Sequence, residues 1–248
     1  MKLKLIILLF ILFQISVFAA DFHTHIRIST GANMTFSTAE HSLNYSSWQN
    51  YSGFRVDSFK NTVNILLLAG YNHKINNNIL TSISILAETG YNFTGYRRPS
   101  DENFGKEGGT FYFHSLVLGL IPTLNFHNDL SFGIGAGVMF PLSANIFDTW
   151  DFMGDYSSAK KLSFSDIKKL YKVPVMPYIK FSVEKYLKIK DTVDMVSGAM
   201  LTYNFGMSCE RDTLLSTKYG IVSFAYESYK FSALSIEVFL GFGFGRPK

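Results

Sequence analysis

Three sets of residues in this chain have types and spacings that could carry chemistry. His23 and His25 stand two apart, so on a strand their imidazoles share a face and could converge on a metal ion. A metal site needs three or four ligands, and no third stands nearby, so the expectation is no metal and no cofactor. His114 and Ser115 pair a base with a nucleophile, but neighbours on a strand point to opposite faces and cannot cooperate. The third set is Arg27, Glu88, Lys180, Glu184, Asp194 and Glu237, six charges inside otherwise apolar, alternating segments. His41, His73 and His127 fall in expected loops and turns.

The segments that hold these charges have period two. Phe22, Thr24, Ile26, Ile28 and Thr30 alternate with His23, His25, Arg27, Ser29 and Gly31, and the pattern returns seven more times, around 63–72, 79–91, 112–121, 130–142, 173–185, 193–207 and 234–244. That makes eight strands of about ten or more residues, the length a tilted strand needs to cross a bilayer. The connections NHKINNN, LNFHND and LKIKD are short and rich in turn formers, whereas 35–60, 94–109, 143–171 and 208–232 are long. Strict alternation of short and long connections places both ends of the barrel domain at the short-turn side.

Composition agrees with that reading. The chain has 248 residues and opens with MKLKLIILLFILFQISVFAA, whose Lys2 and Lys4, apolar Leu5–Phe13 and small Val17 and Ala19 are the parts of a secretory signal peptide over 1–20. The apolar run falls short of the roughly 20 residues of a spanning helix. Two units of the formal +4 charge are Lys2 and Lys4, so the remaining chain is close to balanced and no nucleic-acid partner is expected. Cys209 is the only cysteine, which rules out an intramolecular disulfide. Aromatic residues make up 16% and charged ones 17%, a balance suited to a largely apolar surrounding.

The faces follow from cost. A cation facing lipid near the bilayer midplane costs roughly 2 to 4 kcal/mol, so the six charges are assigned to the lumen as a paired network. Gly133, Gly135 and Gly137 would line the lumen too, leaving room for the larger side chains of their neighbours, because eight strands enclose a space that side chains just fill. The outward face then carries aromatic residues at both ends: Phe132, Tyr71, Phe242 and Phe244 toward the short turns, and Tyr91, Tyr112, Phe140, Tyr203 and Phe205 toward the long loops. Within the lumen, Arg27 on the first strand is expected to pair with Glu237 on the eighth, with Glu88 as the alternative.

In pattern, 21–248 resembles the small eight-stranded outer-membrane proteins of the OmpA and OmpX type. Such barrels usually finish on an aromatic residue, whereas this chain ends GFGFGRPK, with Phe242 and Phe244 slightly inside. The resemblance implies an all-β, antiparallel, up-and-down transmembrane barrel of the bacterial outer membrane, monomeric, with short periplasmic turns, long extracellular loops and outer-membrane lipid around it. Function would lie in the loops: adhesion, ligand or host-surface contact, or envelope integrity. Contact candidates are Trp48, Tyr51 and Phe54 in the first long loop and Trp150 and Phe152 in the third. In the third loop, SFSDIKKLYK spaces Phe164, Ile167, Leu170 and Tyr171 along one helical face among lysines, which suggests a short basic helix resting on anionic head groups.

Two other classes stay open at this stage. A secreted, lipocalin-like barrel holding a small apolar ligand would show the same alternation with charges outside. A barrel enzyme acting on outer-membrane lipid would need a catalytic cluster at one rim; the expectation here is that the protein is not an enzyme.

Overall fold

A computed structural model describes residues 22–41, 55–75, 78–97, 110–147, 160–209 and 226–245. Among these residues ten strands form: β1 (Phe22–His41), β2 (Arg55–Lys74), β3 (Leu80–Arg97), β4 (Thr110–Phe126), β5 (Leu130–Phe147), β6 (Lys160–Ser163), β7 (Met176–Lys190), β8 (Val193–Asn204), β9 (Ser208–Cys209) and β10 (Tyr226–Phe244). One helix, α1 (Phe164–Leu170), follows β6. Each long strand pairs antiparallel with the next, and β1 pairs with β10, so β1–β5, β7, β8 and β10 close an eight-stranded barrel. Closure pairs the first barrel strand with the last, so the eight-stranded ring itself has no open edge. The short strands β6 and β9 are additions, on β5 and β10 respectively.

Alternation sets the two surfaces. Ile28, Ile65, Ile85, Leu118, Ile134, Ile179, Leu201 and Val238, one from each barrel strand, are all exposed on the outside. Their neighbours one residue away point inward and are mostly buried. All nine expected girdle residues take outward positions: Tyr71 stands against Phe22 at 5.9 Å, Phe132 against Phe126 at 5.5 Å, and Tyr203 against Phe205 at 5.0 Å. The connections at one end, here the turn end, are tight. Asp129, in the Phe126–Leu130 turn, has φ 61°, a left-handed conformation that aspartate tolerates better than most residues.

The strands outrun their sequence-based limits. β1 and β2 have 20 residues each and β10 has 19, so parts of the expected connections 35–60 and 208–232 are ladder. The register between β1 and β10 continues as far as His41↔Tyr226. Once two antiparallel strands are aligned, main-chain pairing continues beyond the zone where outward residues must be apolar. Period-two hydrophobicity stops at that zone and so underestimates strand length. His41 and His73 accordingly lie within β1 and β2, not in connections, while His127 is in a turn. The signal segment 1–20 lies outside the described residues, as do Trp48, Tyr51, Phe54, Trp150 and Phe152.

Candidate functional site

The lumen is filled in three layers. At the turn end, a small polar ladder runs from Ser131 to Asn125 (2.5 Å), Asn125 to Ser84 (2.8 Å) and Ser84 to Asn72 (2.8 Å). These short side chains are buried and hold one another, which removes the cost of leaving donors unpaired. On the opposite wall at this end, His23 and His25 meet through their Nε2 atoms, and the Tyr186 hydroxyl lies 3.2 Å from His25 Nε2. Arg27 donates to His25 Nδ1 at 2.7 Å. A guanidinium can only donate, so His25 Nδ1 is the accepting nitrogen and any ring proton of neutral His25 sits on Nε2. A histidine held this way is poorly arranged as a metal ligand, whose second nitrogen normally donates to a carboxylate or carbonyl. Among the described residues, no group of three or more His, Cys, Asp or Glu could hold a metal ion.

The middle layer holds the charges. Arg27 Nη2 reaches Glu184 Oε2 at 2.8 Å, and Glu184 also accepts from Tyr186 (2.9 Å) and Ser182 (3.1 Å). Lys180 Nζ sits 2.7 Å and 2.8 Å from the two oxygens of Glu88, which accepts from Tyr178 at 2.6 Å as well. Glu237 accepts from Ser29 at 2.6 Å and from Asn64. All five of these charges are buried. Asp194 differs: it is half-buried at the turn end of β8, in register with Gly243 and Lys188.

The expected Arg27–Glu237 pair does not form, and neither does Arg27–Glu88. Between β1 and β10, Arg27 stands opposite Gly241 and Glu237 opposite Gly31, a height difference of four residues or about 13 Å. Arg27 instead reaches Glu184, three strands around the ring. Gly241 and Gly243 present no side chains on the inner face of β10 between them. In a narrow barrel, long side chains find partners across the lumen more readily than on the adjoining strand.

The glycine stripe of β5 serves the same crossing. A Cβ at Gly135 would come within 2.7 Å of Ile121, and one at Gly137 within 2.5 Å of the Tyr178 hydroxyl. The missing side chains of β5 are the space into which β4 and β7 project Ile121 and Tyr178. Above them lies an aromatic layer: Tyr96, Phe113, Phe231 and Tyr171, with centroid separations from 4.7 to 6.1 Å. Asn204 donates to the Tyr96 hydroxyl at 2.9 Å.

Helix α1 continues this layer. Ser163 caps it and Asp166 returns the bond, since the Ser163 amide donates to Asp166 at 3.1 Å, completing a capping box. The helix forms where its spacing predicts, but its apolar face is turned into the protein: Ile167 and Leu170 are buried, and Tyr171, just after it, packs on Phe113. It does not lie with that face on lipid. Its lysines, Lys168 and Lys169, are exposed.

One arrangement escaped the sequence reading. On the outside of the barrel, at the end away from the turns, Tyr91 Oη lies 2.5 Å from His114 Nδ1, and Asn145 Nδ2 lies 3.0 Å from His114 Nε2. Asn145 stands opposite Lys161 in the β5–β6 register. Phe93 flanks the row, 4.9 Å from the His114 ring and stacked on Tyr112 at 5.3 Å. Ser115 is buried on the inner face, so His114 and Ser115 are on opposite sides of the wall. The signal was the parity of His114, which puts an imidazole among outward apolar residues.

No family model matches this sequence. No curated protein matches it either. Among solved structures, it is similar to the attachment invasion locus protein Ail of Yersinia pestis bound to the heparin analogue sucrose octasulfate (10% identity, 89% of this chain and 99% of that one, TM-score 0.38). It is also similar to Neisserial surface protein A (12% identity, 87% and 96%, TM-score 0.37). A third is the outer membrane protease OmpT of Escherichia coli (10% identity, 90% and 96%, TM-score 0.40).

Proposed function

We propose that this protein is a closed, monomeric barrel of the bacterial outer membrane, with the tight turns in the periplasm, acting without catalysis through the segments at its far end. One observation carries the reading: every barrel strand exposes large apolar side chains outward while Arg27, Glu88, Lys180, Glu184 and Glu237 are buried within. A water-soluble carrier would be built the other way, with an apolar lumen and charges outside. The filled lumen leaves the surface segments as the place for contact with a ligand, a host surface or neighbouring envelope components. The separation of His114 from Ser115 supports the non-catalytic reading.

Fractionation and heat modifiability test the membrane half: the chain should sediment with outer membranes and migrate faster unheated than boiled. Recovery as a soluble periplasmic or secreted protein would overturn it. For the contact half, cells displaying the barrel should bind a panel of glycans and matrix proteins, and Trp48→Ala with Trp150→Ala should reduce that binding. Equal binding by the variant would remove those residues from the reading.

A further inference from the structure

The outward row Tyr91–His114–Asn145–Lys161 crosses four strands, β3 to β6, and nothing about a passive lipid-facing wall requires it. On β4 the outward residues are apolar from Leu116 through Leu118 and Leu120 to Leu124, and the row begins one outward position above Leu116. It therefore lies at the edge of the apolar belt, at the level of a bilayer's head groups. Tyr91, His114 and Asn145 are hydrogen-bonded to one another there, on the outside of the barrel.

Among the described residues of β5, β6 and α1, the exposed charges are all cationic. Between Lys160 and Lys172 the sequence places five lysines against a single carboxylate, Asp166. Asp166 is buried and engaged in the capping box of α1. Because α1 turns Ile167 and Leu170 into the barrel, its other side presents Lys168 and Lys169 outward, and Lys161 and Lys172 are exposed with them. Phe164 and Val173 are exposed beside these cations, with Lys168 Nζ 5.7 Å from the Phe164 ring. Apolar groups next to amines on flexible stems are what a surface needs to enter the interface while its cations stay among head groups.

We propose that the row and the β6–α1 lysines form a binding site for a lipid with a phosphomonoester head group in the leaflet facing the far end of the barrel. The lysines supply charge. The phenol of Tyr91 and the amide of Asn145, both held in place by the His114 ring, supply donors that distinguish a phosphomonoester, with its extra oxygen and charge, from a phosphodiester. This rests on the membrane reading above, and the experiment separates the two.

The full chain is reconstituted in phosphatidylcholine bilayers with spin-labelled phosphatidic acid, phosphatidylglycerol or phosphatidylcholine as probe. The fraction of motionally restricted label gives each lipid's association relative to phosphatidylcholine. Phosphatidic acid should associate at least about fivefold more strongly than phosphatidylcholine, with phosphatidylglycerol between them. The triple variant Lys161→Ala, Lys168→Ala, Lys169→Ala should bring all three close to unity, while the matching Lys→Arg variant keeps the order. His114→Ala with Asn145→Ala should erase the preference for phosphatidic acid over phosphatidylglycerol and leave that of phosphatidylglycerol over phosphatidylcholine. Lys188→Ala, at the turn end and paired with Asp191, should change nothing. An inserted barrel with no lipid preference, or a triple variant that keeps it, overturns the proposal and spares the membrane reading. Failure to insert in phosphatidylcholine overturns both.

Discussion

Arg27 on β1 and Glu184 on β7 form an ion pair of 2.8 Å across the lumen, both side chains nearly excluded from solvent. The same guanidinium lies 4.9 Å from the Phe239 ring and donates to His25, so one side chain of β1 ties together β1, β7 and β10. Removing either partner leaves a buried charge without its counterpart, which costs about 3 to 5 kcal/mol. Arg27→Ala and Glu184→Ala should each weaken refolding into detergent by that order, and the double variant should lose less than the sum, with a coupling of about 1 to 3 kcal/mol. Arg27→Ala with Glu237→Ala should be additive within about 0.5 kcal/mol. Urea titrations followed by the shift between folded and unfolded bands measure both cycles.

The glycines of β5 should be unequal. At Gly133, an added Cβ meets the side-chain atoms of Ser182, Ile121 and Thr123. At Gly137 it meets the Leu118 carbonyl and the Tyr178 ring, neither of which can easily give way. Gly137→Ala should therefore destabilise the barrel by about 1 to 3 kcal/mol, and Gly133→Ala by less. Thermal unfolding of both variants in one detergent checks the order, and equal midpoints would remove Tyr178 from its place across the stripe.

Conduction provides a third check. Side chains fill the lumen from the Asn125 ladder through the ion pairs to the aromatic layer. Purified protein in planar bilayers should show no large, stable pore. Steady currents of porin size would contradict the packing of all three layers.

Helix α1 should open without the barrel. Its anchors are Ile167 and Leu170, and its start depends on the Ser163–Asp166 box. Ser163→Ala should cost about 1 kcal/mol of local stability, and Ile167→Ala about 2 to 5 kcal/mol. Hydrogen exchange at the amides of 167–171 should quicken in both variants while the amides of β3 and β4 stay protected. Simultaneous loss of protection in β4 would show that the helix and barrel unfold as one.

Much of this architecture was determined by the sequence itself. Side chains on a strand alternate between faces whatever the partners, so period two was enough to identify eight strands, the inward assignment of Arg27, Glu88, Lys180, Glu184 and Glu237, and the outward girdles. The glycines at 133, 135 and 137 were legible for the same reason, as was the apolar spacing of α1. Tertiary structure decided the rest. Whether Arg27 meets Glu237 or Glu184 depends on the stagger summed around a closed ring and on which inner positions are glycine, and no local spacing encodes that sum. It decided that α1 turns its apolar face into the barrel, because the buried rings of Phe113 and Phe231, on which Tyr171 packs just after the helix, come from strands distant in sequence. It also made a site of Tyr91, His114, Asn145 and Lys161, which are unremarkable singly and become one outward row only when the registers of β3, β4, β5 and β6 bring them side by side.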